Sequence, residues 1–212
     1  MPHGQRIAEF LLSIGAVRLR PEEPFTWTSG MKSPIYCDNR MMYSHPEARS
    51  FVVRALADRV RNLHIEPDVV AGTATAAIGW AALVADRLQL PFVYVRAKAK
   101  EHGAGKRIEG DLPPDKHVVV IEDLLSTGGS AASTADALRT EGSAIVTDVV
   151  AIFTYDFLAA REKADAARLK LHPLTDIHTL AKVAIQQNRI THEQSEVIAA
   201  FVRDPQAWQT GN

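Results

Sequence analysis

The sequence predicts an α/β fold: an open, mainly parallel twisted sheet flanked by helices, with a small amino-terminal hood. Three observations point there. Short apolar runs near 68–71, 92–95, 117–121 and 144–153 alternate with helical patterns, as strands joined by crossover helices do. The run Val118-Val119-Val120-Ile121 is followed by Glu122-Asp123, then Leu124-Leu125, then Ser126-Thr127-Gly128-Gly129-Ser130. Three polar, small-residue or basic loops, after Gly72, from Arg96 to Gly110 and from Glu122 to Ser130, follow those strands. In open α/β sheets, ligands bind beyond the carboxyl ends of the strands.

The elements read in order as follows. Ile7, Phe10, Leu11 and Ile14 recur at helical spacing, and Gly15 is a stop, so residues 5–15 predict an amphipathic helix. Pro21, Pro24 and Pro34 then break helix. Phe25–Thr28 and Ile35–Cys37 predict two short strands joined by residues 29–33. Residues 46–62 predict a second helix, with Pro46 in its first turn and Phe51, Val52, Leu56 and Val60 inward. Asp68–Gly72 is a strand entering a glycine turn, and the small residues from Thr73 onward lead into a helix to about residue 88. That turn suits either an anion such as pyrophosphate or plain close packing. Pro91–Val95 is the next strand.

Arg96 to Gly110 is too long for a tight connection and carries basic side chains and His102. It reads as a lid that brings positive charge to phosphates and excludes water. After the 118–121 strand, backbone N–H groups of a small-residue loop and of a helix start at Ala131 would face an anion, with hydroxyls from Ser126, Thr127 and Ser130. Glu122 and Asp123 sit where carboxylates can hold ribose hydroxyls or a hydrated Mg²⁺. The GxxxxGK[ST] lysine of a nucleotide P-loop is absent. Residues 144–153 predict a long strand, 155–168 a helix, and 169–175 an edge strand limited by Pro173. Asp176 caps a helix to residue 187, and Thr191 with Gln194 form a capping box for the last one.

Composition bounds the function. The 212 residues are 46% hydrophobic and 23% charged, enough for one large domain with a real core. We divide it into a helix and hood (1–45), an α/β core (46–175) and carboxyl-terminal helices (176–212). Net charge is −1, which gives no support to nucleic-acid binding. Cys37 stands alone, so neither an internal disulfide nor a cysteine metal cluster is available. No signal-peptide pattern or membrane-length apolar run is present, so a cytoplasmic protein with no membrane partner is expected.

The stretch from Val118 to Ser130 resembles the phosphoribosyl-pyrophosphate (PRPP) signature of the type I phosphoribosyltransferases. Phe25 to Arg40 looks like the hood of the orotate phosphoribosyltransferases within that family, which covers the pyrimidine. The lid matches their pattern at Arg96, Lys100, His102, Gly103 and Gly110. The resemblance implies transfer of ribose 5-phosphate from PRPP to orotate with Mg²⁺ as cofactor, in a homodimer whose lid acts in the neighbouring subunit's site. It implies Arg96, Lys100 and His102 as catalytic residues on the pyrophosphate. It also implies PRPP contacts from Glu122, Asp123, Leu124, Leu125, Ser126, Thr127, Gly128, Gly129 and Ser130, with Ser126 also touching orotate and Mg²⁺ carried by PRPP near Asp123. The chain departs from some members, which carry lysines at Thr28, Ala76 and Ala97 and an arginine after the long strand. Here that region reads Phe153-Thr154-Tyr155-Asp156. Arg40 or Lys32 is therefore the expected partner of the orotate carboxylate. A transferase for another base and a PRPP-sensing regulator compete with this reading. The hood and lid favour orotate, and the first 20 residues are too short for a winged-helix module.

Overall fold

The computed structural model describes residues 2–27, 30–99 and 106–208. Its centre is a six-stranded sheet in the order β10-β9-β8-β5-β6-β7. The strands are β5 (Val69–Thr73), β6 (Phe92–Val95), β7 (Ile108–Glu109), β8 (His117–Leu125), β9 (Ile145–Thr154) and β10 (Lys170–Asp176). All pairings are parallel except β6 with β7. The expected open, mainly parallel sheet is therefore the observed one.

Two apolar layers cover the sheet. On one face, Val70, Val119, Ile121, Val150 and Ile152 pack against α1 (Pro2–Ile14), α2 (Pro46–Arg61), α3 (Ile78–Leu88) and α6 (Ile177–Gln186). On the other, Val69, Ala71, Val118, Val120 and Val149 meet α4 (Gly129–Gly142) and α5 (Leu158–Ala166). Burial on both faces explains why these strands read as continuous apolar runs rather than alternating ones. The helix α7 (His192–Arg203) opens with the expected capping box, and Asp176 accepts the Thr179 N–H at the start of α6.

Several boundaries differ from the sequence expectation. The hood's hairpin is β2 (Phe25–Thr26) with β3 (Lys32–Ser33), whereas β4 (Ile35–Cys37) pairs antiparallel with β1 (Val17–Leu19). Pro34 lacks an N–H, and the buried Ser33 hydroxyl donates to the Ile35 carbonyl while accepting its N–H, so the chain turns there. The lid's return arm forms β7 rather than staying loop. The strand β8 continues through Glu122 and Asp123 to Leu125, because β9 keeps pairing with it up to Leu125 and Thr154. On its other side, pairing with β5 stops at Ile121. The helix α3 begins only at Ile78, after a turn with a cis Ala74–Thr75 peptide. The helix α5 begins at Leu158, later than the expected 155, since Tyr155 and Phe157 are buried in an aromatic cluster.

Candidate active site

Parallel pairing aligns the carboxyl ends of β5, β6 and β8, so the turn after Thr73, the lid's first residue Arg96 and the loop from Ser126 leave one sheet edge. At the centre of that edge, Gly128 adopts φ 74° and α4 starts one residue later. A side chain on Gly128 would be strained by that φ, and its Cβ would lie 3.1 Å from the Ala160 carbonyl oxygen. Thr127 and Ser130 are exposed beside the first turn of α4, so their hydroxyls and the turn's N–H groups are open to an anion. The loop's exit is tied down: Tyr155 donates its N–H, and Thr154 its hydroxyl, to the Leu125 carbonyl.

The acidic pair lies within β8, so the two side chains leave opposite faces of the strand. Asp123 is partly exposed on the hood side. Burial raises its carboxyl to about 6, backbone N–H groups and Arg40 pull it down, and Asp38 pushes it up. Glu122 is 4% exposed, and its Oε1 has no hydrogen-bond partner among the described residues. Burial, then the charge of Asp123, pushes Glu122 up to about 8, while the Thr73 hydroxyl works the other way. The Thr73 hydroxyl is also hydrogen-bonded to the Thr134 hydroxyl on α4 (3.1 Å).

A folded-state value above the ordinary 4.5 means the native protein holds a proton that the unfolded chain releases. Stability from Glu122 is therefore greatest in acid and is lost as pH rises from about 4.5 towards about 8. Glu122→Gln should raise the thermal midpoint of the ligand-free protein at about pH 8.5 by roughly 3–6 °C, with the gain vanishing near pH 4. A gain of equal size at both pH values in scanning calorimetry would contradict this assignment.

The hood builds the other wall. A cavity of about 530 Å³ is lined by Thr26, Trp27, Tyr36, Cys37, Leu124, Ser126 and Tyr155. Trp27 stacks on Tyr155, with centroids 5.5 Å apart and planes at 27°. Its indole N–H donates to the Ile35 carbonyl. Ser126 is thus shared between this cavity and the phosphate loop. Burial raises the Cys37 thiol and Tyr155 phenol well above their usual ranges, so both stay neutral on the cavity wall.

Two residues without an expected role join hood and sheet. Asn39 begins a 3₁₀ helix (Asn39–Ser44), is fully buried, and donates to the Asp123 carbonyl at 2.6 Å. Tyr43 donates to the Ala76 carbonyl and accepts from the Trp80 N–H, clamping the turn after β5. Gly79 packs so closely on Tyr43 that a Cβ would lie 2.9 Å from its hydroxyl, and Gly72 packs equally closely on Ala81. Gly72, entering this turn, and Gly79, in the first turn of α3, are therefore both close-packing positions, which supports the second of the two readings open from sequence. The Asp38-Asn39-Arg40 run was the available signal for Asn39; nothing local marks Tyr43.

The remaining predicted residues divide clearly. Arg96 is at the site's edge, 3.3 Å from Glu109 in an ion pair across the base of the lid. Arg107 closes that base by exchanging backbone and side-chain hydrogen bonds with Arg96 and reaching Ser133 and Glu141 on α4. Lys100, His102 and Gly103 lie outside the described residues, as does Thr28. Arg40 is exposed and held by both oxygens of Asp38, at 2.7 and 2.9 Å. Lys32 donates to the hydroxyl of Thr26, a cavity residue. Neither cation lines the cavity itself.

A paired acid strand, a phosphate-type loop and a hooded cavity on one sheet edge define a phosphoribosyltransferase site. The family model for the phosphoribosyl transferase domain matches residues 39–186. The chain is 47% identical to an orotate phosphoribosyltransferase of Listeria monocytogenes over 96% of this chain and 97% of that one. It is 48% identical to that of Halalkalibacterium halodurans over 96% and 98%. The crystal structure of orotate phosphoribosyltransferase from Aeropyrum pernix superposes with a TM-score of 0.72, at 29% identity, over 83% of this chain and 96% of that one. The chain belongs to the orotate phosphoribosyltransferase family. Among the described residues, no helix is long and apolar enough to cross a membrane.

Proposed function

We propose that the chain transfers ribose 5-phosphate from PRPP to orotate, forming orotidine 5′-monophosphate and pyrophosphate in pyrimidine biosynthesis. The observation that carries the reading is the shared position of Ser126, which borders both the hood cavity and the phosphate loop. A base in the cavity would then face the ribose whose 5′-phosphate sits on residues 126–130. We assign residues 1–212 to one phosphoribosyltransferase domain with three parts, namely hood, α/β core and carboxyl-terminal helices.

In the reaction, a ring nitrogen of orotate forms a bond to ribose C1 as the bond from C1 to the pyrophosphate oxygen breaks. Positive charge develops on the ribose and negative charge on the leaving group. Glu122 and Asp123 bind the ribose hydroxyls and lie near the developing cation. Leu124 and Leu125 continue that strand into the loop. Residues Ser126, Thr127, Gly128, Gly129 and Ser130 hold the 5′-phosphate. Arg96, Lys100 and His102 meet the pyrophosphate, and His102 supplies a proton or hydrogen bond to it. The site is completed in a homodimer, with the lid acting in trans. The cavity's apolar, aromatic walls hold the base in line with C1, so positioning contributes more than a strong base.

The donor set also suits Mg²⁺. Among the described residues no group of three or more His, Cys, Asp or Glu side chains could hold a metal alone. Asp123, however, is a partly exposed carboxyl at this edge. Mg²⁺ commonly takes one or two carboxylates plus substrate phosphates and water. Asp123 would hold it from the protein side, and its chemistry there is neutralisation of the leaving pyrophosphate.

The carboxylate of orotate is assigned to Arg40 or Lys32, which flank the cavity. Arg40→Ala should raise the orotate KM about tenfold and leave the PRPP KM unchanged in steady-state kinetics. An unchanged orotate KM would remove Arg40 from that role and leave Lys32.

The function itself is tested by orotate-dependent release of pyrophosphate from PRPP with Mg²⁺, with adenine, hypoxanthine and uracil as controls. Turnover with orotate alone is the expected result. Turnover with another base would keep the PRPP site and discard the orotate contacts. Tight PRPP binding without turnover on any base would replace the enzyme reading by a sensor.

A further inference from the structure

The hood hairpin is too short to hold itself. The ladder of β2 and β3 has two residue pairs, Phe25 with Ser33 and Thr26 with Lys32. Isolated hairpins of any length are marginal in water, so packing must fix this one. The packing comes from the far end of the chain. Trp27 meets the ring of Phe201 on α7 edge-on, at 5.9 Å and 87°. Phe201 is fully buried and is met edge-on by two further rings, Phe157 at 5.6 Å and Trp208 at 5.4 Å. Phe157 in turn stacks on Tyr155, the cavity residue on which Trp27 also stacks. A closed ring of aromatic contacts therefore runs Trp27, Tyr155, Phe157, Phe201 and back to Trp27, with Trp208 buttressing Phe201 from outside. Two of these five side chains line the cavity; Phe157, Phe201 and Trp208 do not.

A second, separate tie joins α7 to the chain entering the hood. Gln194, in the first turn of α7, donates its amide to the Glu22 carboxylate at 2.7 Å. The connection before α7 is anchored too, by Arg189 donating to the Leu12 carbonyl at the end of α1. The carboxyl-terminal helix thus meets the chain entering the hood with its first turn and the hood itself with its last.

We propose that α7 and Trp208 form the platform that positions Trp27 over the base cavity, making Phe201 and Trp208 positioning residues for orotate. The inference rests on the reading of the hood cavity as the base site. Edge-to-face aromatic pairs prefer defined distances and angles, so Phe201 and Trp208 set the attitude of the Trp27 ring as well as its burial. The phosphate loop and the acidic pair make none of these contacts. Loss of the platform should therefore weaken orotate selectively.

The test uses the full-length chain in steady-state kinetics with both substrates varied. Trp208→Ala should raise the orotate KM about five- to tenfold, with kcat and the PRPP KM within about twofold of wild type. Trp208→Phe, which keeps an aromatic ring, should restore most of the orotate affinity. Glu22→Ala, an exposed change that leaves α7 itself intact, should raise the orotate KM about twofold and supplies a second reading should Trp208→Ala not fold. Equal rises in both KM values, or no change in either, would overturn the platform. Trp27→Ala separates the two levels of the argument. A raised orotate KM there with none in Trp208→Ala and Glu22→Ala would defeat the platform alone. An unchanged orotate KM in Trp27→Ala would defeat the base-site reading beneath it.

Discussion

Lys100→Ala should lower kcat by about 10²- to 10³-fold while changing the PRPP KM only severalfold. Pyrophosphate bound as part of PRPP already carries several negative charges, and departure adds more at the bridging oxygen. A cation that meets the leaving group as it separates stabilises the transition state more than the ground state, and only such differential interaction raises kcat. On the proposed reading, the braced base of the 96–110 loop supports delivery of that cation. Arg96 and Arg107 brace each other at the two stems, and Arg107 is held by Ser133 and Glu141 of the helix that begins at the phosphate loop. Equal losses in kcat and PRPP affinity, measured by initial rates and by direct PRPP binding, would reduce Lys100 to uniform substrate binding.

Gly128→Val should weaken PRPP binding by more than about tenfold and destabilise the fold by about 2–4 kcal/mol. Two independent observations give this size. At φ 74° a β-branched residue is strained, and the new Cβ would meet the backbone of Ala160 at 3.1 and 3.2 Å. Backbone of α5 cannot move aside as a flexible side chain could. The chain would escape by opening the Ser126–Gly129 turn, which disperses the N–H groups that the proposal gives to the 5′-phosphate. Gly129→Ala is the matched control. Its nearest neighbours, the Lys163 ammonium and the Thr127 hydroxyl, lie at 3.7 and 3.8 Å, so it should be tolerated. Calorimetric titration with PRPP checks both variants, and equal effects would refute the geometric argument.

Much of the sheet was readable because its strands are buried on both faces and its loops carry small or charged residues. The caps at Asp176 and Thr191 were readable for a local reason, since each is a side chain bonding its own helix's N–H groups. The misread elements are those decided at long range. Glu122 and Asp123 have low strand propensity, yet they lie in β8 because β9 runs on beside them. The pairing of Ile35–Cys37 with Val17–Leu19 left no signal, as a three-residue ladder has no distinctive period.

The site shows the same division. The small-residue loop 126–130 and the basic stretch that opens at Arg96 read as contiguous motifs, and the structure sets their described residues at one sheet edge. Asn39 under Asp123, Tyr43 at the turn after β5, and Trp27 against Tyr155 were not legible, because each contact joins segments far apart in the chain. Arg40 is expected from sequence, with Lys32, as a partner of the orotate carboxylate, and its ion pair with Asp38 two residues away carried no signal of its own.

The central claim is that base and phosphate occupy one continuous site joined at Ser126. A crystal structure of the protein with orotidine 5′-monophosphate tests it most directly. The pyrimidine ring is expected in the cavity between Tyr36, Trp27, Tyr155 and Leu124. The 5′-phosphate is expected on the N–H groups from Thr127 to Ser130, with the Ser126 side chain in contact with both halves of the ligand. A pyrimidine bound outside the hood, with the phosphate still on that loop, would contradict it.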